Sequence, residues 1–279
     1  GQTYYARLYS EKNATPAEGR IGLFITPSLT ANSCVDETCL GPVLLSNPSI
    51  EQGEHCTPGF LSIADSDGLG IPLAPGWPRD QFASSDSYSS CAPHTSQSEM
   101  PSYYDSPALG RVLARSGKGM AGMIIRGTFG YQEYIQAPLS EPLVVGEPYL
   151  VSFSVVSAPR NEGSCNGLAA YLSTGPAPQG YSETINVEPQ VISLDIIGQG
   201  PWTTVCGVVV PDEPWDHITL GAFFADRDEF TYEGDFYSSA YIYYFIDDVV
   251  VAHVEDAACI TSIGNVPPLE ADNVGKGDD

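Results

Sequence analysis

Basic residues are scarce in this chain. Lys and Arg together number 11 against 35 Asp and Glu, a formal net charge of −24 over 279 residues. A surface of that sign repels nucleic acid and anionic lipid, which both need basic patches, so nucleic acid is excluded as a partner. Long apolar runs are missing as well. No stretch approaches the roughly 18 consecutive apolar residues of a membrane helix, and no membrane insertion is expected. The four histidines lie far apart, and the seven cysteines form no C-x-x-C pair. Nothing therefore has the spacing of a zinc site. There is no G-x-S-x-G elbow, no H-E-x-x-H and no phosphate-binding loop. With 35 acids, some carboxylate pair falls at any separation a glycosidase requires, so their presence argues for nothing. The chain reads as non-enzymatic.

Helical periodicity is as poor as these motifs. In its place are 28 Gly, 23 Pro and 16 Tyr, with apolar runs cut by turn residues about every ten positions. Strands are expected at 111–115, 120–126, 131–136, 149–156, 168–173, 190–194, 202–210, 218–225 and 241–254. That series predicts an all-β fold, a two-sheet antiparallel sandwich. Two further strands, Thr3–Tyr9 and Arg20–Thr26, precede it as an N-terminal β arm with the sequon Asn13-Ala-Thr15 between them. The organisation expected is an arm over 1–42, a sandwich domain over 43–256 and an acidic tail over 257–279. The region 52–108 is rich in loop residues.

The densest strand signal is Tyr241–Val254, aromatic or β-branched at almost every position yet interrupted by Asp247 and Asp248. Carboxylates inside so apolar a strand are costly unless something pairs them. Either one Asp faces outward and the other lies at the strand end, or one shares a cation with a distant carboxylate, for which Asn47-Pro-Ser-Ile-Glu51 supplies the candidate. Cysteines spread in this way suit disulfides in an oxidising compartment. The pairing expected is Cys34–Cys39, Cys56–Cys91 and Cys165–Cys206, with Cys259 free or bonded to another chain.

The order of motifs adds a resemblance. Leu45-Ser-Asn-Pro-Ser-Ile-Glu51 with Cys56 is followed by Pro75-Gly-Trp77, Cys91, Gly117-Lys-Gly-Met-Ala-Gly-Met-Ile124 and Tyr131-Gln-Glu-Tyr-Ile-Gln136. After these come Leu139-x-x-Pro-Leu143, Gly146-x-x-Tyr149-x-Val-Ser-Phe153, Trp202-x-x-Val205, Leu220-Gly-x-Phe223 and Tyr244-Phe-Ile-Asp-Asp-Val249. The series resembles a jelly-roll family of secreted and cell-surface proteins of Bacteroidota, found beside adhesin, gliding and OmpA-like modules. It is similar to carbohydrate-binding modules with a galactose-binding-like fold. The resemblance implies a jelly-roll domain and a structural calcium held by Glu51 and Asp248, with Asn47 as a further ligand and Asp247 as the alternate. It places Trp77 and Trp202 in the core. The arm lies outside it.

For a ligand, exposed aromatics are the residues to seek, since they stack on pyranose rings. Trp215, between Pro214 and Asp216, reads as loop-borne, and Tyr88, Tyr103 and Tyr104 fall in the long loop region. Loop tyrosines serve protein interfaces equally well. Two functions follow. One is an extracellular structural or adhesive subunit that self-associates or docks on a cell-surface protein through its arms. The other is a carbohydrate-binding module with a glycan as partner.

Overall fold

The computed structural model describes residues 35–51, 74–78, 85–89, 112–127, 131–158, 163–177, 184–223, 232–234, 241–256 and 258–259. The arm strands, the sequon, Tyr103, Tyr104 and the Cys56–Cys91 pair lie outside them. The described chain folds as the expected two-sheet antiparallel sandwich. Its strands are β1 Leu40–Val43, β2 Asp86–Ser89, β3 Gly119–Gly127, β4 Ile135–Pro138, β5 Tyr149–Ser157, β6 Gly163–Cys165, β7 Ala169–Ser173, β8 Val191–Ile192, β9 Thr203–Val209, β10 His217–Gly221, β11 Tyr232–Gly234 and β12 Tyr241–Val254. One sheet runs β2-β3-β12-β5-β9, with β1 also on β12. The other runs β4-β10-β7-β8, and β11-β6 form a small third ladder.

Strand β12 is central because it is apolar enough to be covered on both faces. Its flank against β5 is continuous apart from one bulge. On its other flank β3 pairs with residues 241–246 and β1 with Ala252 and Val254. Ile242, Tyr244 and Ile246 enter the inter-sheet core, but beyond the bulge Val249 and Val251 do. Asp247 pairs with Ser154 and Val250 with Ser152, so two β12 residues stand opposite one of β5. The extra residue is Asp248, at φ 49°. A strict two-residue period would have turned the second half of β12 inside out; the bulge restores its apolar side to the core.

Facing residues of the other strands fill that core: Met123 and Ile125 of β3, Phe153 and Val155 of β5, Ile135 of β4, Ile218 and Leu220 of β10, and Leu172 of β7. Strand β5 is buried at every position. Its serines do not face water, because the outer side of the six-stranded sheet is covered in turn. Residues 112–116, expected to begin with a strand, cross over it. Val112 and Ala114 pack with Tyr88, Met120, Tyr243 and Phe245. The segment forms no strand because the Arg115 and Ser116 N–H groups bond the Asp247 carboxylate in place of a ladder partner. Val35, Leu150, Cys206 and Val254 cover the far end of the same face.

The disulfides depart from expectation. Cys39 bonds Cys259, so neither Cys34–Cys39 nor an unpaired Cys259 holds. Proximity in sequence misled here, since β1 and the end of β12 are neighbours in the sheet. Cys165 is a buried free thiol, which rules out Cys165–Cys206. Burial on β6 pushes it up to about 12. Cys206 is disulfide-bonded to a residue outside those described. Strand β1 straddles the boundary set at 42/43.

A Cys39–Cys259 bridge over a sequence separation of 220 predicts that breaking it by Cys259→Ser costs up to roughly 5 kcal/mol in the chain-entropy account. Non-reducing peptide mapping should return the 39 and 259 peptides joined, and Cys165 should resist alkylation until the protein is denatured. Rapid native labelling of Cys165, or Cys39 joined to another cysteine, would refute the assignment.

Candidate ligand-binding face

Polar side chains gather on both outer faces of the sandwich. The first such place surrounds the β12 bulge. Asp247 is fully buried there. Its Oδ2 accepts from the N–H of Arg115 at 2.9 Å and of Ser116 at 3.1 Å, and its Oδ1 from the N–H of Asp248 at 2.7 Å. Burial pushes this carboxyl up to about 7. The Asp248 charge adds to the rise, and the N–H bonds oppose it. Asp248 accepts from the Arg115 guanidinium and the Ser116 hydroxyl, both at 2.5 Å. Glu51 Oε1 takes the N–H groups of Lys118 at 2.7 Å and Gly119 at 3.1 Å. Asn47 holds the entering loop together: its side chain accepts from Glu51 N and donates to the carbonyls of Glu51 and Pro75. Gly119 must be glycine, because a Cβ would meet the Ile50 carbonyl at 2.5 Å.

Of the residues singled out for calcium, Glu51, Asp247 and Asp248 are drawn to one turn, 115–119, as acceptors for its N–H, hydroxyl and guanidinium groups, while Asn47 bonds within the loop that carries Glu51. Hard cations of this kind take six to eight oxygens. Among the described residues no three of Asp, Glu, His and Cys stand close enough to hold a metal.

The aromatic candidates divide differently. Tyr88 is 2% exposed and cannot serve as a surface platform. The tract taken for loop contains β2, which pairs with β3 and turns Tyr88 under the covering segment. There its ring meets Phe245 edge-on, and its hydroxyl lies 3.0 Å from that of Tyr243. Trp215 is half-buried and packs on the main core. Trp77 is fully buried, as expected, and its Nε1 donates to the Asn47 carbonyl at 2.7 Å. Trp202 is half-buried, donating to the Leu113 carbonyl.

The second place is the outer face of the four-stranded sheet, built from strands whose alternate residues enter the core. Ile218 and Leu220 point inward on β10, which leaves His217, Thr219 and Gly221 outward. By register, His217 lies between Pro138 and Ser173, Thr219 between Gln136 and Tyr171, and Gly221 beside Ala169. One end of this face is closed by Tyr134. Its hydroxyl donates to the Ala222 carbonyl at 2.7 Å, and its ring occupies the space a Cβ at Gly221 would need. Phe223 and Tyr171 stack against this end. The opposite end is polar: Asp216 Oδ1 lies 2.7 Å from His217 Nδ1 and accepts from Gly175 N–H, and these bonds hold its carboxyl low. In the middle the Thr219 hydroxyl is buried with no hydrogen-bond partner, a condition that natural structures seldom leave without a ligand or water. Sequence reasoning passed over Gln136, Tyr171, His217 and Thr219 because it sought ligand residues on loops. The usable signal was the alternation His-Ile-Thr-Leu-Gly and Ala-Ala-Tyr-Leu-Ser, apolar on one side and polar or aromatic on the other.

No protein-family model matches the chain, and no curated protein matches it. Solved structures do. The CBM22-1 xylan-binding domain of Paenibacillus barcinonensis Xyn10C aligns over 52% of this chain and 78% of its own, at 14% identity and a TM-score of 0.33. A CBM4 domain aligns over 74% and 99%, at 12% identity and 0.30. The K3 adhesin domain of Lys-gingipain from Porphyromonas gingivalis aligns over 51% and 76%, at 14% identity and 0.29. At TM-scores of this size the likenesses carry no argument about function.

The bulge makes two predictions. The Asp247 carboxyl sits near 7 in the folded chain against 3.8 ordinarily, so between those values the native state binds more protons. Stability contributed by its protonated form is complete at low pH and is lost as pH rises through the window, by roughly 4 kcal/mol. Urea melts across pH 4 to 8 should show a fall in wild type that Asp247→Asn flattens; parallel slopes would sink the assignment. Chelation should leave the melting temperature unchanged. A fall on chelation would mean that an ion displaces Arg115 from Asp248.

Proposed function

We propose that this protein is a non-catalytic extracellular carbohydrate-binding module that takes an oligosaccharide along the outer face of its four-stranded sheet. The observation that carries this is the buried, unpartnered Thr219 hydroxyl lying between Gln136 and Tyr171. Sugars recognise such a row well. The ring of Tyr171 offers a stacking surface, and the amide and hydroxyl groups match equatorial hydroxyls. On the opposite face residues 35–40 and 112–116 cover much of the six-stranded sheet, where the Ser154 hydroxyl is likewise buried without a partner. The domains named for xylan binding and adhesion share the sandwich; their ligands guide only the choice of probe. The motif series sets the protein, also as a proposal, among secreted cell-surface modules. The filament reading depended on the arm and tail, and residues 1–34 and 260–279 lie outside the described chain. Nothing in the sheets adds to it.

Affinity electrophoresis against xylan, mixed-linkage β-glucan and mannan should show retardation by at least one polymer. Tyr171→Ala should weaken it about ten-fold, the loss of one stacked ring at about 1.4 kcal/mol. Thr219→Val separates binding from folding, because it should weaken the glycan complex yet stabilise the free protein by removing a buried unpaired hydroxyl. No retention by any polymer, or both variants binding like wild type, overturns the proposal.

A further inference from the structure

The two ends of the sandwich meet. Strand β1 runs antiparallel to the end of β12, with Leu40 opposite Val254. Just outside this pair the Glu255 N–H bonds the Cys39 carbonyl at 2.9 Å, and the disulfide joins Cys39 to Cys259 with their Cα atoms 6.4 Å apart. The chain continues in both directions, through residues 1–38 before the bridge and 260–279 after it. The shortest covalent path between those two segments therefore crosses the domain at Cys39 and Cys259.

For hydrogen bonds alone a pull between those segments is the weakest way to load a sheet. In an antiparallel pair the N–H···O=C bonds lie perpendicular to the strands. A pull on the two adjacent ends acts along those bonds and breaks them one after another, whereas a pull along the strands would shear many together. Strand β1 offers only four residues to such peeling. Beneath it lies β12, paired on both flanks and the source of more core side chains than any other strand of this sheet, so its loss would open the whole sandwich. The covalent bridge sits at the point where the tear would start. It is half-buried and packed against the cluster of Val35, Leu150, Cys206 and Val254.

We propose that the protein is a load-bearing link, in which tension between its N-terminal and C-terminal segments runs through the Cys39–Cys259 bond and leaves the sheets unloaded. The ligand face described above would then keep its shape while the chain is pulled. This function needs no glycan and stands or falls apart from the carbohydrate reading.

Single-molecule stretching of the full chain, tethered at residues 1 and 279, tests it. The oxidised protein should lengthen only by its terminal segments. Reductant added to the same tethered molecules should release the enclosed chain, a gain of roughly 70–80 nm at 3.3–3.6 Å for each of 220 residues of separation. Cys259→Ser, first shown to be folded by circular dichroism, should lengthen in a discrete step without reductant. The long step in the oxidised wild type overturns the proposal. So does a folded Cys259→Ser chain that gives no step, because another bond would then carry the load. If the variant does not fold, the comparison of oxidised with reduced wild type decides the matter alone.

Discussion

A carboxylate in the middle of the most apolar strand is the constraint from which the rest of the architecture follows. Asp247 lies on the outer side of the six-stranded sheet, next in line after Tyr243 and Phe245, and is fully buried. Such a group is tolerable only when surrounded by donors. Two of the three N–H groups it receives come from residues 115 and 116, so the segment before β3 is committed to lie across the sheet instead of joining it. The third comes from Asp248, whose left-handed backbone creates the bulge. Beyond the bulge the Val249 N–H reaches the Pro48 carbonyl, and the Leu44 N–H reaches the Val251 carbonyl. The flank of β12 that β3 has left is thereby taken over by the entering chain. A single charged side chain thus sets the crossing segment, the change of face along β12 and the path of residues 44–51.

The same constraint makes the two outer faces unequal. The six-stranded sheet is covered by 112–116 at one end and by the Cys39–Cys259 region at the other, with Tyr88, Tyr243 and Phe245 packed between. The four-stranded sheet carries a polar and aromatic row, packed at one end by Tyr134, Ala177, Ile185 and Phe223. Its core-facing residues are small or aliphatic, and the outward positions of β7 and β10 carry Tyr171, Ser173, His217 and Thr219.

Much of the fold was legible in the sequence because strands bury alternating or continuous apolar runs, and β3, β5, β9 and β12 all announce themselves in that way. The motif series also paired Glu51 with Asp248 from opposite ends of the chain, and both reach the turn at 115–119. What it could not convey was the partner of each carboxylate: whether backbone donors or an ion satisfy them depends on the path of 112–119, which has no periodic signature. Tyr88 misled for a related reason. A four-residue strand inside a polar tract looks like loop until its pairing with β3 is known. Cysteine connectivity depends on which strands become neighbours, and so Cys39 found Cys259 and not Cys34. The polar row on the four-stranded sheet was the least legible part, since Gln136, Thr219 and Tyr171 come from three strands and only the register places them side by side.

The closeness of the domain's two ends also fixes how much room it takes up along a polypeptide. The residues between Cys39 and Cys259 add only the 6.4 Å between their Cα atoms to the contour of the chain on either side. The sandwich hangs beside that chain as a pendant and does not lengthen it. Flanking segments keep nearly the same separation whether the domain is present or replaced by two residues, so a module of this shape can be placed within a longer protein without altering the distance between its neighbours.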